Sequence, residues 1–490
     1  MYTPAFRSSF FRPLFLSFAA GALGALCFAS SGCSDNGGST ASGAGAPNGN
    51  VAGSLGTASG TGPGGSAAGG SGGGASPVGG NSAGGVAGVG AGGVGGAGAG
   101  GSGMAGGAGV GVGGAPVPVT GTATRPQLAA EAEPDYTVLK YLEKGGAVAT
   151  PVADNWDPTA GVGDVTALTP TYTVAASGGT DTTIQAAIDK AVAAGGSDRV
   201  AIEVADGTYR EVVCVPTTAP PITLYSKNPD ASATRIVFDN YAGKAKDANT
   251  PANPCNPGIG AVTYGTSGSP TFAAYAKGFQ AKNLTFENDT DETGLTGSVQ
   301  AVALSSQGDQ QIYENVRLLG NQDTFFVKSG SVEVISRVYV TKSFIQGDTD
   351  FIFGRGVLVI DASEIHFISS RQGSKGYCVV PSTDARNPHG ILVNKSHFTA
   401  DAATTAGSIY LGRAWDESGK DLATYATMVA TGVYPNGQAL IRESTLDAHI
   451  RAADPWSVAA TTSRPFSATS GMYPANRLYE LSNTGPGAAP

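Results

Sequence analysis

The stretch Gly320-Asn-Gln-Asp-Thr-Phe-Phe326 decides the fold, because two similar polar-centred motifs stand at regular distances from it. Gln300-Ala-Val-Ala-Leu304 precedes it, and Asp350-Phe-Ile-Phe-Gly354 follows it. The glutamines of the first two motifs are 22 residues apart, and the aspartates of the last two are 27 residues apart. Both spacings fit one coil of a solenoid, in which equivalent positions of successive coils lie about 4.8 Å apart. We therefore expect two glutamines and two carboxylates on one face of the fold.

A recurring phrase supports this interpretation. A small polar residue followed by alternating apolar residues returns at 282–286, 314–318, 342–345, 362–365, 395–398 and 443–446. The intervening runs are rich in Val, Ile, Phe and Tyr, which is typical of strands. A sandwich would show hairpin turns roughly every 8–12 residues. The sequence thus predicts an all-β fold, a single-stranded right-handed parallel β-helix.

One helix interrupts the strand pattern. Residues 183–194 place Ile184, Ile188 and Val192 on one face, and the segment ends at Gly195-Gly196. An amphipathic helix of this kind can cover the open end of a solenoid, whose edge strands otherwise invite pairing with other chains. We expect it to be a short N-terminal cap.

Composition divides the chain into two unequal parts. The 490 residues are 41% hydrophobic and only 14% charged, which suffices for a large core. Residues 36–124, however, carry no charged side chain and consist mostly of Gly, Ala, Ser and Val. Such a segment cannot bury enough apolar surface to offset its ordering entropy. We assign residues 33–124 to a disordered tether and residues 125–490 to the catalytic domain.

The N-terminus has the features of an export signal. Arg7 and Arg12 precede an apolar run at 14–29, and Ser-Ser-Gly leads to Cys33. Residues 1–32 resemble a bacterial lipoprotein signal, after whose removal Cys33 would carry the lipid. The expected location is the outer membrane, at the cell surface or periplasmic face, with membrane contact only through the lipid. Simple secretion is the alternative.

The remaining cysteines allow one internal bridge. Cys214, Cys255 and Cys378 stay in the exported domain, and an odd number permits at most one disulfide among them. Cys214 and Cys255 flank a Pro- and Asn-rich insertion and are the predicted pair. Cys378 is expected to be a buried strand residue.

The two aspartates carry the predicted chemistry. If Asp323 and Asp350 face each other on neighbouring coils, they cannot both ionise freely, so one is an acid and the other a nucleophile. Arg413 is the cation expected to keep one carboxylate ionised. Gln300 and Gln322 offer neutral N–H donors suited to a developing oxyanion.

Five motifs in order resemble the pectin methylesterase family, over roughly residues 160–480. They are Gly207-Thr-Tyr-Arg-Glu211, Gln300-Ala-Val-Ala-Leu304, Gly320-Asn-Gln-Asp-Thr-Phe325, Asp350-Phe-Ile-Phe-Gly354 and Leu411-Gly-Arg-Ala-Trp415. The C-terminal part is most similar to the bacterial lipoprotein branch of that family. The chain departs from the family pattern at Ala414, where proline is usual, and at Asp348, where threonine is usual.

The resemblance implies a mechanism and a substrate. Asp350 would attack the methyl-ester carbonyl, and Asp323 would protonate the leaving methanol and then activate water. Gln322 with Gln300 would form the oxyanion hole, and Arg413 would orient Asp350. The substrate would be pectin or another methyl-esterified polyuronate, handled by a monomer without a metal or organic cofactor.

Aromatic residues from the same motifs are candidate sugar platforms. Trp415, Phe353 and Phe326 would line the cleft, although aromatic stacks are also common inside β-helices. The net charge of −9 offers no basic surface, so nucleic acid is not an expected partner. The four histidines lack metal-ligand spacing.

Other functions stay open at this point. The lipoprotein branch includes proteins considered as acyl-CoA thioesterases, so a different ester or a thioester is one alternative. A glycosidase or lyase on the same fold is a second alternative, because paired carboxylates also serve glycoside hydrolysis. A non-catalytic polysaccharide-binding β-helix is the third.

Overall fold

A computed structural model describes residues 118–247, 252–371, 373, 375–466 and 474–489. Within them the chain forms thirty strands, numbered β1 to β30 along the sequence, and four α-helices. Three of the sheets contain 12, 8 and 7 strands and are called sheets I, II and III; the fourth is a small three-stranded sheet.

Sheet I has the spatial order β1 (Val119–Thr122), β2 (Arg125–Leu128), β30 (Arg477–Leu481), β28 (Gln438–Arg442), β25 (Ile391–Asn394), β22 (Val357–Asp361), β19 (Arg337–Thr341), β15 (Gln311–Glu314), β12 (Gln280–Lys282), β9 (Ile222–Tyr225), β6 (Val200–Val204) and β5 (Tyr172–Val174). Sheet II has the order β29 (Thr445–Leu446), β26 (His397–Ala400), β23 (Glu364–Phe367), β20 (Phe344–Gly347), β16 (Arg317–Leu319), β13 (Thr285–Asn288), β10 (Thr234–Phe238) and β7 (Gly207–Arg210).

Sheet III has the order β27 (Tyr410–Gly412), β24 (Tyr377–Pro381), β21 (Thr349–Gly354), β17 (Phe325–Val327), β14 (Leu304–Ser306), β11 (Phe272–Ala274) and β8 (Val213–Val215). The small sheet joins β18 (Val334–Ile335), β3 (Lys144–Ala147) and β4 (Thr150–Ala153). The helices are α1 (Val138–Leu142), α2 (Ile184–Ala194), α3 (Gly265–Gly268) and α4 (Leu422–Thr431), and 3-10 turns cover Ala130–Asp135, Val165–Ala167 and Ala231–Ala233.

The strand order makes the fold a parallel solenoid. From β7 onward the chain visits sheets II, III and I in turn, and each strand pairs in parallel with its equivalent one coil away. This confirms the predicted parallel β-helix at the level of its parallel coils. Side chains alternate along each strand, so Phe325 of β17 joins the central core while Phe326 lies on the outer face of sheet III. The outer face of sheet III carries the candidate site.

From β12 onward, the turns from sheet I to sheet II contain a residue in the left-handed region. Asn283 and Asn315 occupy this position with φ of 60° and 51°, and Lys342 and Lys395 occupy it in later coils. The serine that follows the lysine accepts a hydrogen bond from the coil before: the Val316 N–H donates to Ser343 Oγ at 3.1 Å. The same contact joins Ser343 to Ser363, Ser363 to Ser396, and Ser396 to Ser444. The repeated serine therefore links neighbouring coils by hydrogen bonds at one corner of the solenoid.

The N-terminal part of the described chain runs across the outer face of sheet I. Tyr141 and Leu142 of α1 pack against strand residues such as Val359 and Leu392. Arg337, fully buried, pairs with Asp309 of a neighbouring coil and with Asp154 of this segment. The hairpin of β1 and β2 begins at Val119, inside the range that sequence composition assigned to the tether. The folded part thus begins earlier than predicted, because uncharged β-branched residues there pair with a neighbouring strand.

Helix α2 lies beside the first strands of the solenoid. Ile184 and Ile188 are buried in the central core, and Thr183 caps the helix by accepting the Ala186 N–H. The Glu211 carboxylate accepts the N–H groups of Ile184 and Gln185 at 2.8 and 3.0 Å. In the described part of the chain no helix is long and apolar enough to cross a bilayer.

Candidate active site

Strand register brings the predicted site residues to one face of sheet III. Phe325 pairs with Ile352, so Asp323 and Asp350, each two residues earlier, stand at equivalent positions of neighbouring coils. The Asp323 N–H donates to the Thr349 carbonyl at 3.1 Å, which fixes the two turns against each other. Both aspartates have positive φ, 66° and 52°. This backbone conformation is uncommon for residues other than glycine and aims the side chains out of the regular strand pattern.

Gln300 and Gln322 lie on the adjoining coils of the same face. The Ala301 N–H donates to the Gln322 carbonyl at 3.1 Å, which places the two glutamine backbones side by side. Both side chains are half-buried. The side-chain oxygen of Gln300 is buried and has no hydrogen-bond partner in the described part of the chain. The unpaired atom is the acceptor of this amide, whereas an oxyanion would need its N–H donors.

Arg413 holds Asp350 through two hydrogen bonds. Arg413 Nε donates to Asp350 Oδ1 at 3.0 Å, and Nη2 donates to Oδ2 at 2.6 Å. The guanidinium also lies 4.1 Å from the centre of the Tyr377 ring. A bidentate contact keeps the carboxylate charged and fixes its plane. Asp350 is therefore presented as an oriented anion.

Asp323 is in a different electrostatic state. Its side chain is 7% exposed, and burial, followed by the charge of Asp350, raises its pKa well above the ordinary value of 3.8, while Arg413 opposes the shift. Neighbouring carboxylates that cannot both ionise separate into one protonated and one ionised group. The site thus places a carboxyl group whose raised pKa favours its protonated form, Asp323, beside a carboxylate paired with arginine, Asp350.

The three predicted aromatic residues form one cluster beside the aspartates. Phe326 and Phe353 stack with ring centres 4.4 Å apart. The ring centre of Trp415 lies 6.2 Å from that of Phe326 and 5.7 Å from that of Phe353. Phe326 and Phe353 are 1% and 3% exposed, whereas Trp415 is half-buried. In this arrangement Trp415 offers most of the ring surface for a sugar. The contact of all three with substrate stays a prediction.

Three residues at the site were not singled out from the sequence. Tyr377 stacks on Arg413, and Arg371 pairs with both Glu292 and Asp348. Glu292 and Arg371 stand in loops outside every motif, so no local pattern indicated them. Asp348 alone was visible beforehand, as a third carboxylate close to Asp350.

Two of the cysteines lie on strands of sheet III, Cys214 on β8 and Cys378 on β24. Cys214 and Cys255 form a disulfide, and Cys378 is a buried free thiol whose pKa is raised by burial. The predictions for residues 1–32, for Cys33 and for most of the tether lie outside the described residues.

Comparison with known proteins gives consistent results. The family model described as Pectinesterase matches residues 171–445. A pectinesterase of Ralstonia solanacearum is 44% identical over 373 residues, covering 75% of this chain and 93% of that protein. The solved structure of rice weevil pectin methyl esterase has a TM-score of 0.64 and 32% identity, and covers 75% of this chain and 98% of that one.

A further relative has a different name. The Escherichia coli protein YbhC, provisionally named an acyl-CoA thioester hydrolase, is 30% identical over 408 residues. The match covers 75% of this chain and 90% of that protein.

Proposed function

The chain belongs to the pectinesterase family, and on that premise we propose that it hydrolyses methyl esters of polygalacturonate through an aspartyl acyl-enzyme. As a pectinesterase it is a carboxylic ester hydrolase. The observation that carries the proposed mechanism is the contrast between Asp350, held as an anion by Arg413, and Asp323, whose pKa is raised. Two carboxyl groups in different protonation states supply a nucleophile and an acid.

The first half of the reaction forms a covalent intermediate. An Asp350 oxygen attacks the ester carbonyl carbon, and the carbonyl oxygen becomes an oxyanion that the amides of Gln322 and Gln300 stabilise. Collapse breaks the bond to the methoxy oxygen, which takes the proton of Asp323 and leaves as methanol. The product of this step is an anhydride between Asp350 and the substrate acid.

The second half restores the enzyme. Asp323, now a carboxylate, removes a proton from a water molecule that attacks the substrate carbonyl carbon. The bond to Asp350 breaks, the free galacturonate carboxyl leaves, and Asp323 is again protonated. Ester and water have become acid and methanol, and no other reactant is consumed.

We propose Trp415, with Phe353 and Phe326 behind it, as the apolar wall of the sugar-binding cleft. The half-buried ring of Trp415, two residues after Arg413 in the sequence, supports this role. Flat aromatic surfaces pack well against the apolar faces of sugar rings.

Further features of the chain are proposed from its sequence and its coil geometry. The solenoid is right-handed, the hand that crossover connections between parallel strands almost always take. Helix α2 covers the end at β5, β7 and β8. Residues 33–117 tether a monomeric domain to lipid on Cys33 in the outer membrane; replacing Cys33 by alanine should release the protein from the membrane fraction.

A substrate panel separates the candidate functions. The full chain is incubated with highly methylated pectin, with a long-chain acyl-CoA, and with unmethylated polygalacturonate. We expect methanol from the first, no free thiol from the second, and no chain shortening of the third. Release of thiol without methanol would favour the thioesterase alternative, and chain shortening would favour a glycosidase or lyase.

A further inference from the structure

Beneath the catalytic aspartates, one arginine lies between two buried acids. Arg371 donates from Nε to Asp348 Oδ2 at 2.8 Å and from Nη2 to Asp348 Oδ1 at 2.6 Å. Arg371 Nε also lies 2.8 Å from Glu292 Oε2. The side chains of Asp348 and Glu292 are 0% and 1% exposed. The three residues, called the buried triad below, come from three separate loops.

The buried triad contains two carboxyl groups and only one guanidinium. The guanidinium makes its two short hydrogen bonds to Asp348 and a longer one, 3.4 Å, to Thr349 Oγ1, whereas its contact with Glu292 is an ion pair without hydrogen-bond alignment. Burial raises the pKa of Glu292 to about 7; Arg371 and hydrogen bonding from the Asn321 side chain and the Gln322 N–H lower it, and Asp348 raises it. Two ionised acids sharing one cation would leave an uncompensated buried charge, which is costly. Burial and the shared cation therefore favour the protonated form of Glu292, and we expect its charge to depend on pH.

The buried triad contacts both turns that carry the catalytic acids. The Asp348 N–H donates to the Asn321 carbonyl at 3.1 Å, and Asp348 stands two residues before Asp350. Asn321 and Gln322, which neighbour Glu292, lead directly into Asp323. The charged groups that act on Asp323 are Asp350, Glu292 and Asp348, which favour its protonated form, and Arg413, which opposes them.

We propose that the buried triad positions the two catalytic turns, and that the charge of Glu292 sets the upper limit of pH at which Asp323 keeps its proton. The proposal rests on the acid role given to Asp323 above. It assigns Glu292, Arg371 and Asp348 as positioning residues, since none of them needs to touch the substrate.

The direction of the effect follows from charge. When Glu292 ionises, its negative charge raises the pKa of Asp323, so Asp323 stays protonated to higher pH. Glu292→Gln keeps the shape of the side chain and removes that charge. Asp323 should then lose its proton at lower pH, and the fall in activity on the basic side should begin earlier.

The test compares pH profiles of kcat/KM for methanol release by the full chain. In Glu292→Gln we expect the basic limb to move down by about 0.5 pH unit or more, the size of effect that a nearby charge produces. Glu480→Gln is the matched control, because Glu480 is an equally buried acid paired with Arg125 at 2.7 Å on sheet I. Glu480→Gln should lower the free energy of unfolding and leave the basic limb of the kcat/KM profile at the wild-type pH.

A second readout does not need turnover. The Asp323 carboxyl carbon, assigned with Asp323→Asn, is followed by NMR against pH in the wild type and in Glu292→Gln. In Asp348→Asn, Arg371 no longer shares its charge with a second carboxylate. The pKa of Glu292 should therefore fall in this variant. If the wild type releases no methanol, the proposed function fails, while the NMR titration still decides the role of Glu292.

Coincident pH profiles and coincident Asp323 titrations in the wild type and in Glu292→Gln would overturn the proposal. If Glu292→Gln loses as much stability as Glu480→Gln and the basic limb of its kcat/KM profile does not move, Glu292 is a purely structural residue.

Discussion

At the scale of single residues, Asp323 shows how a reactive group costs stability. Its side chain is buried beside another carboxylate, and its pKa is raised well above 3.8. Below pH 3.8 the folded and unfolded chains both hold the proton, so no penalty arises. As pH rises, the unfolded chain loses the proton first and the folded state becomes relatively less stable.

Asp323→Asn should therefore be more stable than the wild type at pH 7 and inactive. The asparagine cannot titrate, so the variant avoids the loss of stability that follows from the raised pKa of Asp323. The gain should shrink as the pH is lowered toward 3. Denaturant unfolding at pH 7 and pH 3.5 measures it, and an equal stability difference at both pH values would contradict the raised pKa.

Arg413→Lys tests whether orientation of Asp350 matters beyond charge. Lysine keeps the charge but cannot make two parallel hydrogen bonds, so kcat should fall by roughly a hundredfold with little change in KM. Arg451→Lys is the matched control, because Arg451 stacks on Tyr410 at 4.7 Å and pairs with Asp454 in the same way. Equal rates in the two variants would remove Arg413 from the mechanism.

The sequence predicted which candidate residues lie close together where those residues occupy repeated strand positions. Asp323 and Asp350 occupy equivalent positions of two neighbouring coils, so their spacing in the sequence was enough to predict that they lie close together. Glu292 and Arg371 approach each other from irregular loops, whose paths no period describes. The three aromatic rings contact one another, their contact with a sugar stays a prediction, and the motif gave no sign that Phe326 is buried.

At the scale of elements, helix α2 depends on a side chain that is distant in sequence. Glu211 accepts the N–H groups of Ile184 and Gln185, which a helix cannot satisfy internally. Glu211→Ala should lower the free energy of unfolding by about 1–2 kcal/mol and leave kcat unchanged. Calorimetry and methanol release measure the two quantities. A fall in kcat without a fall in stability would contradict a structural role.

The recurring phrase predicted the coil repeat but not its local geometry. Asn315 and Ser343 are both the small polar residue of their repeat in the sequence. In the structure, however, Asn315 has the left-handed backbone conformation, whereas Ser343 follows the residue that has it. Lys342 takes the left-handed position in its coil. Asparagine tolerates that backbone easily, and lysine accepts it here because the serine contacts between coils hold the turn.

At the scale of the whole molecule, the fold resists unfolding partly through its one disulfide among the described residues. Cys214 and Cys255 are 41 residues apart, and the bridge restricts the unfolded chain. Cys255→Ser should lower stability by about 3–4 kcal/mol on the chain-entropy estimate. Thermal unfolding of the variant, and of the wild type with and without reductant, measures this. An unchanged transition in both would contradict a stabilising role.

The solenoid could be predicted from the sequence because its contacts repeat at one period. The segment that covers sheet I could not, because its contacts have no period: Arg337 reaches Asp154, 183 residues earlier, and Arg442 reaches the Tyr136 carbonyl. Composition likewise could not show that β1 belongs to the folded part.

The most direct test of the whole account is methanol release from highly methylated pectin by the full chain and by Asp350→Asn. The amide keeps the volume of the side chain but is a very poor nucleophile, so release should fall by roughly ten-thousandfold or more. Asp454→Asn, which alters another aspartate held by two arginine hydrogen bonds, should retain wild-type release. Methanol release by a folded Asp350→Asn at the wild-type rate would contradict the assignment of Asp350 as nucleophile.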